Sequence, residues 1–254
     1  MLNVIKSEIY KTGRRAYLYI FVGVISALGL ALGVMFAVAN RVRPAEYYTG
    51  FESVAAIVIM MLSAGIYFTL PFVDMVFSEE YKNLTMKNMV SYGTPRTSIY
   101  LGKLAVEILF ALLGLAVMMT IILGGAFLLM GTQDMAKSTE MLGNLLVRLA
   151  VSIPLWIGAL CTGNMLAFLI RNSVMYVMIF LAWFGVVPEV LKGLGALVDP
   201  VFYQIRSCMI PPLFDLMPGA LSLDSIVRCV VVGLAHAVVF TVIGVLLFRK
   251  KEIK

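Results

Sequence analysis

The chain has 254 residues, 61% of them hydrophobic and 13% charged, and carries a formal net charge of +6. Those proportions exclude a soluble globular domain. The basic residues flank long apolar blocks, so the charge suits anionic headgroups and topology setting rather than nucleic acid. Cys161, Cys208 and Cys229 have no C-x-x-C spacing, which indicates neither a disulfide framework nor a metal site.

Residues 1–15 carry Leu2, Ile5 and Ile9 at helical spacing among Lys6, Lys11, Arg14 and Arg15. This predicts an interfacial helix over 1–16, lying on the inner membrane surface before the chain turns in. The first span covers about 18–39. Ala37-Val38-Ala39 resembles a signal-peptidase site, but the apolar run is longer than a signal h-region, so the span is expected to be retained. Further spans are predicted at about 54–77, 104–130, 149–170, 174–191 and 226–248, each long enough to cross a core of about 30 Å at 1.5 Å per residue. Pro71 and Pro154 lie inside spans and predict kinks that shape a cavity.

Between the second and third spans runs the polar stretch 78–103. Ser78 reads as an N-cap, with Glu79 and Glu80 in the first turn and Lys82 placed to pair with Glu79. Gly93 supplies a left-handed stop, and Thr94-Pro95 opens a helix that continues into the third span. With the N-terminus inside, 13 of the 20 Lys and Arg residues fall on the inner side. Both termini and 78–103 are therefore expected in the cytosol. The outer segment 192–224 is apolar but broken by Pro200, Pro211, Pro212 and Pro218. It predicts short helices that dip into or cap the outer leaflet, as a gate or as packing.

The fold class expected is an all-α membrane protein, a single transmembrane domain over 1–254. It has six spans, N-in and C-in, with an interfacial helix, a cytosolic helix over 78–93 and an outer re-entrant or capping segment. No G-x-x-x-x-G-K-[ST], H-E-x-x-H or G-x-S-x-G occurs, so no catalytic or metal-binding residues are expected. Paired glutamates of prenyl-endopeptidase type need an Arg where Leu84 stands, so that reading fails. Ionisable residues in spans cost about 2.5–3.5 kcal/mol at the helix centre and are functional suspects. Asp74, Glu107 and His236 are accordingly the candidate pathway or gate residues, together with Phe202 and Phe214 of the outer segment. A structural ion pair or interface anchor competes for Asp74, Glu107, Arg148 and Glu189, and simple packing for His236. The 17 methionines suit adaptable apolar contacts but also ordinary membrane packing.

Four stretches carry a resemblance: K-S-E-I-Y-K before the first span, F-S-E-E-Y-K-N-L-T-M-K-N after the second, G-T-P-R-T-S-I-Y-L-G-K into the third, and the F-R-K-K-E-I-K tail. With six spans and a bulky outer segment before the last, the chain resembles the membrane subunit of a type-2 ABC exporter, the small permease class common in Gram-positive bacteria. Leu84 departs from that pattern, which often has Gly before the Thr. The resemblance implies a half-transporter of the bacterial cytoplasmic membrane, paired with a second permease, identical or a sister subunit. Two separate ATP-binding cassette ATPase subunits would dock beneath the pair. No cofactor would reside in this chain; ATP and Mg would be held by the ATPase. Residues 78–93 would then form the coupling helix, with Glu79, Glu80, Lys82, Thr85, Lys87 and Asn88 as contacts. Cargo of amphipathic character, antimicrobial or cytolytic peptides or lipid, suits the apolar spans. The competing classes are an ion-gradient-driven secondary transporter and a non-transporting scaffold or sensor.

Overall fold

The structure, a computed structural model, describes residues 1–42, 49–82 (side chains to 77), 89–132, 134–170 and 172–250. Helix α1 (Leu2–Gly13) leads into α2 (Ala16–Val42). Helices α3 (Phe51–Met60) and α4 (Gly65–Lys82) are separated by a 3-10 turn at Leu62–Ala64. There follow α5 (Arg96–Met130), α6 (Met135–Leu169) and α7 (Ser173–Leu197). The short α8 (Val201–Ser207) and α9 (Pro211–Phe214) precede α10 (Leu223–Lys250). By length and composition α2, α5, α6, α7 and α10 can each cross a membrane. Phe51–Met60 with Leu62–Phe77, bent by 49°, makes a sixth span if the pair counts as one. Among the described residues the chain is all-helical, with five or six helices long and apolar enough for a multi-pass membrane protein.

Local chemistry sets most boundaries. Asp134 caps α6 by accepting from the Ala136 N–H at 2.8 Å, and Asn172 caps α7 by accepting from those of Val174 and Met175. Gly131 ends α5 at φ 68°, and Gly93 turns the chain at φ 78° just before α5. In α7, Pro188 has no N–H to give to the preceding turn, and the chain makes a π turn over Ala182–Val186.

The N-terminal helix and the last turn of α10 lie at one end of the bundle. There α1 packs on the start of α5, so closely that a Cβ on Gly102 would stand 2.9 Å from Val4 Cγ1. Arg96 donates to the Phe248 and Arg249 carbonyls at 3.2 and 2.9 Å, and Arg15 donates to the Met75 carbonyl. At the far end Asn40 and Thr49 bond reciprocally, joining the end of α2 to the start of α3, and Ser138 of α6 bonds to Glu52 of α3. Two close helix pairs run the length between. Gly29 and Gly33 of α2 lie against Ile122 and Ala126 of α5, the small-x-x-x-small spacing that lets helices approach in lipid. Gly158 of α6 and Gly233 of α10 bring those helices into backbone contact beside Pro154.

Several expectations change. Ser78 is not an N-cap: α4 continues through it to Lys82, because the span's buried stripe runs on to Met75, Val76 and Phe77. The expected coupling helix over 78–93 therefore begins as the last turn of α4, and 83–88 lie outside the described residues. The bend in the second span sits at 61–64, while the helix is continuous through Pro71. Helix α6 starts at Met135 rather than near 149. Helix α7 reaches Leu197 rather than 191, and Pro211 and Pro212 occupy the first turn of α9, where their missing N–H groups leave no bond unmade.

Candidate functional site

A charged cluster is buried at the end that holds α1 and the last turn of α10. Helix α1 turns Glu8 and Thr12, one turn apart, into the bundle and leaves Leu2 and Ile9 exposed. Glu8 Oε2 stands 3.2 Å from Lys103 Nζ of α5, with side chains 2% and 0% exposed. Its other oxygen accepts from Lys11 at 3.0 Å, so one carboxylate faces two ammonium groups. Lys103 Nζ also lies 5.5 Å from the centroid of the Phe77 ring, near the end of α4. Removing one partner of a buried pair costs about 3–5 kcal/mol, so Glu8–Lys103 fixes where α1 sits.

One turn further along α5, Glu107 is fully buried, and neither carboxylate oxygen has a hydrogen-bond partner among the described residues. On the other side of Lys103, Tyr100 stacks on Phe168 at 4.5 Å, and Phe168 packs at the same distance on Phe77 and Phe248. This aromatic collar joins α4, α5, α6 and α10 around the charges. Tyr176 at the start of α7 donates to Asp74 of α4 at 3.0 Å. The elements gathered here are thus locked together just where α4 leads into 83–88.

A second feature lies between the ends. An apolar groove of about 330 Å³ is walled by Leu28, Met61, Phe68, Met118, Met119 and Trp156, from α2, the 3-10 turn region, α4, α5 and α6. Leu28 and Met61 are more than half exposed, so the groove opens sideways out of the bundle. Among the described residues no ionisable side chain lines it. Trp156 organises its floor: Nε1 donates to the Leu62 carbonyl at 3.1 Å, at the break between α3 and α4, and the indole stacks on Phe214 at 6.3 Å. A smaller apolar pocket adjoins, sharing Gly65, Phe68, Met118 and Trp156.

The candidate residues fall in different places. Asp74 and Glu107 belong to the end that carries the charged cluster. Phe214 meets the groove through Trp156, whereas Phe202 is half-buried on α8 and is not among the groove residues. His236 Nδ1 bonds to the Val232 carbonyl at 2.9 Å, and its ring packs near Phe240 and Gly158, between α6 and α10. Glu79, Glu80 and Lys82 lie on the last turn of α4, with side chains outside the described residues, as are Thr85, Lys87 and Asn88 altogether. Arg148 acts as an anchor, donating to the Met217 and Gly219 carbonyls at 2.6 and 2.8 Å and holding 217–219 onto α6. Sequence reasoning missed Glu8, Lys103 and Trp156. The spacing of Glu8 and Thr12 on one face of α1, and of Lys103 and Glu107 on one face of α5, were signals that could have found the first two.

Residues 4–189 match the protein family described as "ABC-2 family transporter protein". The matched region contains the Glu8–Lys103 pair, Glu107, every wall of the groove and most of α7. No curated protein matches the chain.

Proposed function

Because the chain belongs to the ABC-2 transporter family, and is thus the permease component of an ABC transporter, we propose that it is one membrane half of an ATP-driven exporter for amphipathic or hydrophobic cargo. Membership implies an ATP-binding partner subunit. We assign that subunit, with its ATP and Mg, to the end bearing α1 and 83–88. Glu79, Glu80, Lys82, Thr85, Lys87 and Asn88 are the contacts proposed for it. We assign this end, with both termini, to the cytosol of a bacterium, a reading supported by its excess of Lys and Arg.

The observation that carries the cargo assignment is the groove. Its described lining is apolar, its walls come from helices long enough to span, and the exposed Leu28 and Met61 open it at the side of the bundle, where we expect lipid. A sugar or an ion would find no polar partner there, whereas an acyl chain or the apolar face of an amphipathic helix would. A second permease would close the groove from outside, and the exposed apolar faces of α2 and α10 offer surface for it. ATP-driven closure of the motors would then move the helices as rigid bodies, favouring one of two arrangements by differential binding.

The test is a tagged purification from native membranes followed by an ATPase assay with and without amphipathic helical peptides. An associated ATPase whose turnover rises with peptide supports the reading. Turnover that responds to neither peptide nor lipid overturns the cargo assignment.

A further inference from the structure

A further cavity, of about 190 Å³, lies toward the end of the bundle away from α1. Its walls include Ala56 and Met60 of α3, Met141, Asn144 and Arg148 of α6, and Pro218. Met60 and Asn144 are exposed, so it opens at the surface. Helix α6 has 35 residues and is about 52 Å long, against a hydrocarbon core of about 30 Å. Its early part carries Lys137, Glu140, Asn144 and Arg148, whereas 149–169 hold no Asp, Glu, Lys or Arg. The surplus length therefore falls before 149, and Arg148 stands at the depth of the lipid head groups.

The guanidinium of Arg148 donates to the carbonyls of Met217, Gly219 and Asn144 and to Oδ1 of Asn144. All of these acceptors are neutral, and among the described residues no carboxylate pairs with it. It keeps its whole positive charge. Of the N–H groups that a guanidinium carries, one on Nη2 is left over. The same contact orients Asn144: only its amide oxygen can accept from Arg148, which leaves the Nδ2 hydrogens for a ligand. Glu52 and Glu140 each stand one turn before a wall residue, yet neither lines the cavity, and Glu52 is bonded to Ser138.

Two donors beside an uncompensated charge suit a phosphate, whose oxygens accept charge-assisted bonds. The remaining walls, Ala56, Met60, Met141 and Pro218, are apolar. A free phosphate ion would leave them facing water, whereas a phosphate that carries a glycerol and acyl chains covers them. We propose that this cavity binds an anionic membrane lipid, with the phosphate on Arg148 and Asn144 and the adjoining carbons against Met60, Met141 and Pro218. The site is separate from the cargo groove, which takes its α3 wall from Val54, Ile57, Val58 and Met61. A bound lipid shares Arg148 with the Met217 and Gly219 carbonyls and so steadies 217–219 as well.

The test is native mass spectrometry of the full chain in a neutral detergent, titrated with phosphatidylglycerol or phosphatidylcholine. The first phosphatidylglycerol is expected to bind several-fold tighter than phosphatidylcholine, whose choline cation opposes the guanidinium. Asn144→Asp sets a carboxylate beside Arg148 while leaving its bonds to Met217 and Gly219 in place. It should weaken phosphatidylglycerol binding by about tenfold, the worth of one charge-assisted hydrogen bond. Asn144 is exposed, so the unfolding midpoint in lipid-free detergent should not fall. Ala56→Phe, which fills the cavity from α3, should weaken binding similarly. Phosphatidylglycerol binding that is unchanged in Asn144→Asp overturns the site, and so does equal affinity for the two lipids. Inorganic phosphate at the lipid's concentration should not displace it; if it does, the ligand is the free ion and the lipid assignment falls.

Discussion

Gly65→Ala puts one methyl group at the first residue of α4, facing Trp156. An ideal Cβ there would lie 2.3 Å from Nε1, 2.5 Å from Cε2 and 2.8 Å from Cζ2, all well inside contact distance. The indole has little freedom to retreat, since Nε1 is bonded to the Leu62 carbonyl and Phe214 stacks on the ring. Overpacking of this kind costs about 1–3 kcal/mol, and losing the hydrogen bond adds about 1 kcal/mol. Replacing a helical glycine recovers about 0.5–1 kcal/mol. The net expectation is a loss of about 1–3 kcal/mol, read as a lower unfolding midpoint in detergent. Trp156 and Trp183 are the two tryptophans of the chain, so a change in emission should accompany it. Gly23→Ala is the control: a Cβ there meets nothing within 4 Å, and stability should hold or rise slightly. Adding Trp156→Phe to Gly65→Ala should cost less than the sum of the single changes, because the smaller ring yields the space. If Gly65→Ala unfolds at the parent midpoint with parent emission, the account of the bend and the groove floor is wrong.

Gly233→Ala should be worse, costing about 3 kcal/mol, because its Cβ would stand 2.5–2.7 Å from backbone atoms of Pro154 and Leu155, which cannot rotate away; the comparison is the unfolding midpoint beside that of Gly65→Ala. Arg148→Met removes two charged donors from the Met217 and Gly219 carbonyls, each worth about 1.5–3 kcal/mol. Limited proteolysis should then cut faster between 206 and 222, with the remaining helices protected, and an unchanged pattern would deny the anchor. Glu80→Lys combined with Lys87→Glu should leave the permease inserted yet unable to retain the ATPase on purification; undiminished export would remove 78–93 from the coupling role.

The spans were legible because 18 or more apolar residues in a row have few other uses. Gly93 and the Thr94-Pro95 pair marked the start of α5 to within a residue. Other boundaries were hidden by specific residues. Lys137, Glu140 and Arg148 dilute the hydropathy of the first turns of α6, although Asp134 carried the capping signal. The break at 61–64 contains no proline, and the bond that supports it comes from Trp156, on another helix. Pro71 looked like the better candidate for a bend, yet the helix passes through it. At the site, Asp74 and Glu107 were suspect merely as ionisable groups in apolar runs. The Glu8–Lys103 pair joins residues far apart in the chain, and the groove needs walls from several helices, so periodicity along any one of them gives neither.

Helix α2 is made before the other spans, yet it buries just Leu18, Ser26 and Gly33 in the finished bundle. Its glycine face finds its partner on α5 only when synthesis has passed Met130, and until then α2 stands in the bilayer as a solitary helix. A mean hydropathy of 2.4 over its best window suits it to that wait. Helix α6 waits differently. Asn164 on α6 is fully buried, and Tyr100 OH of α5 stands so close to Gly244 of α10 that a Cβ there would overlap it. Until α10 emerges, this polar interior lacks its cover. Biogenesis therefore leaves this polar surface uncovered until α10 is made, which opens the insertion of α10 to quality control.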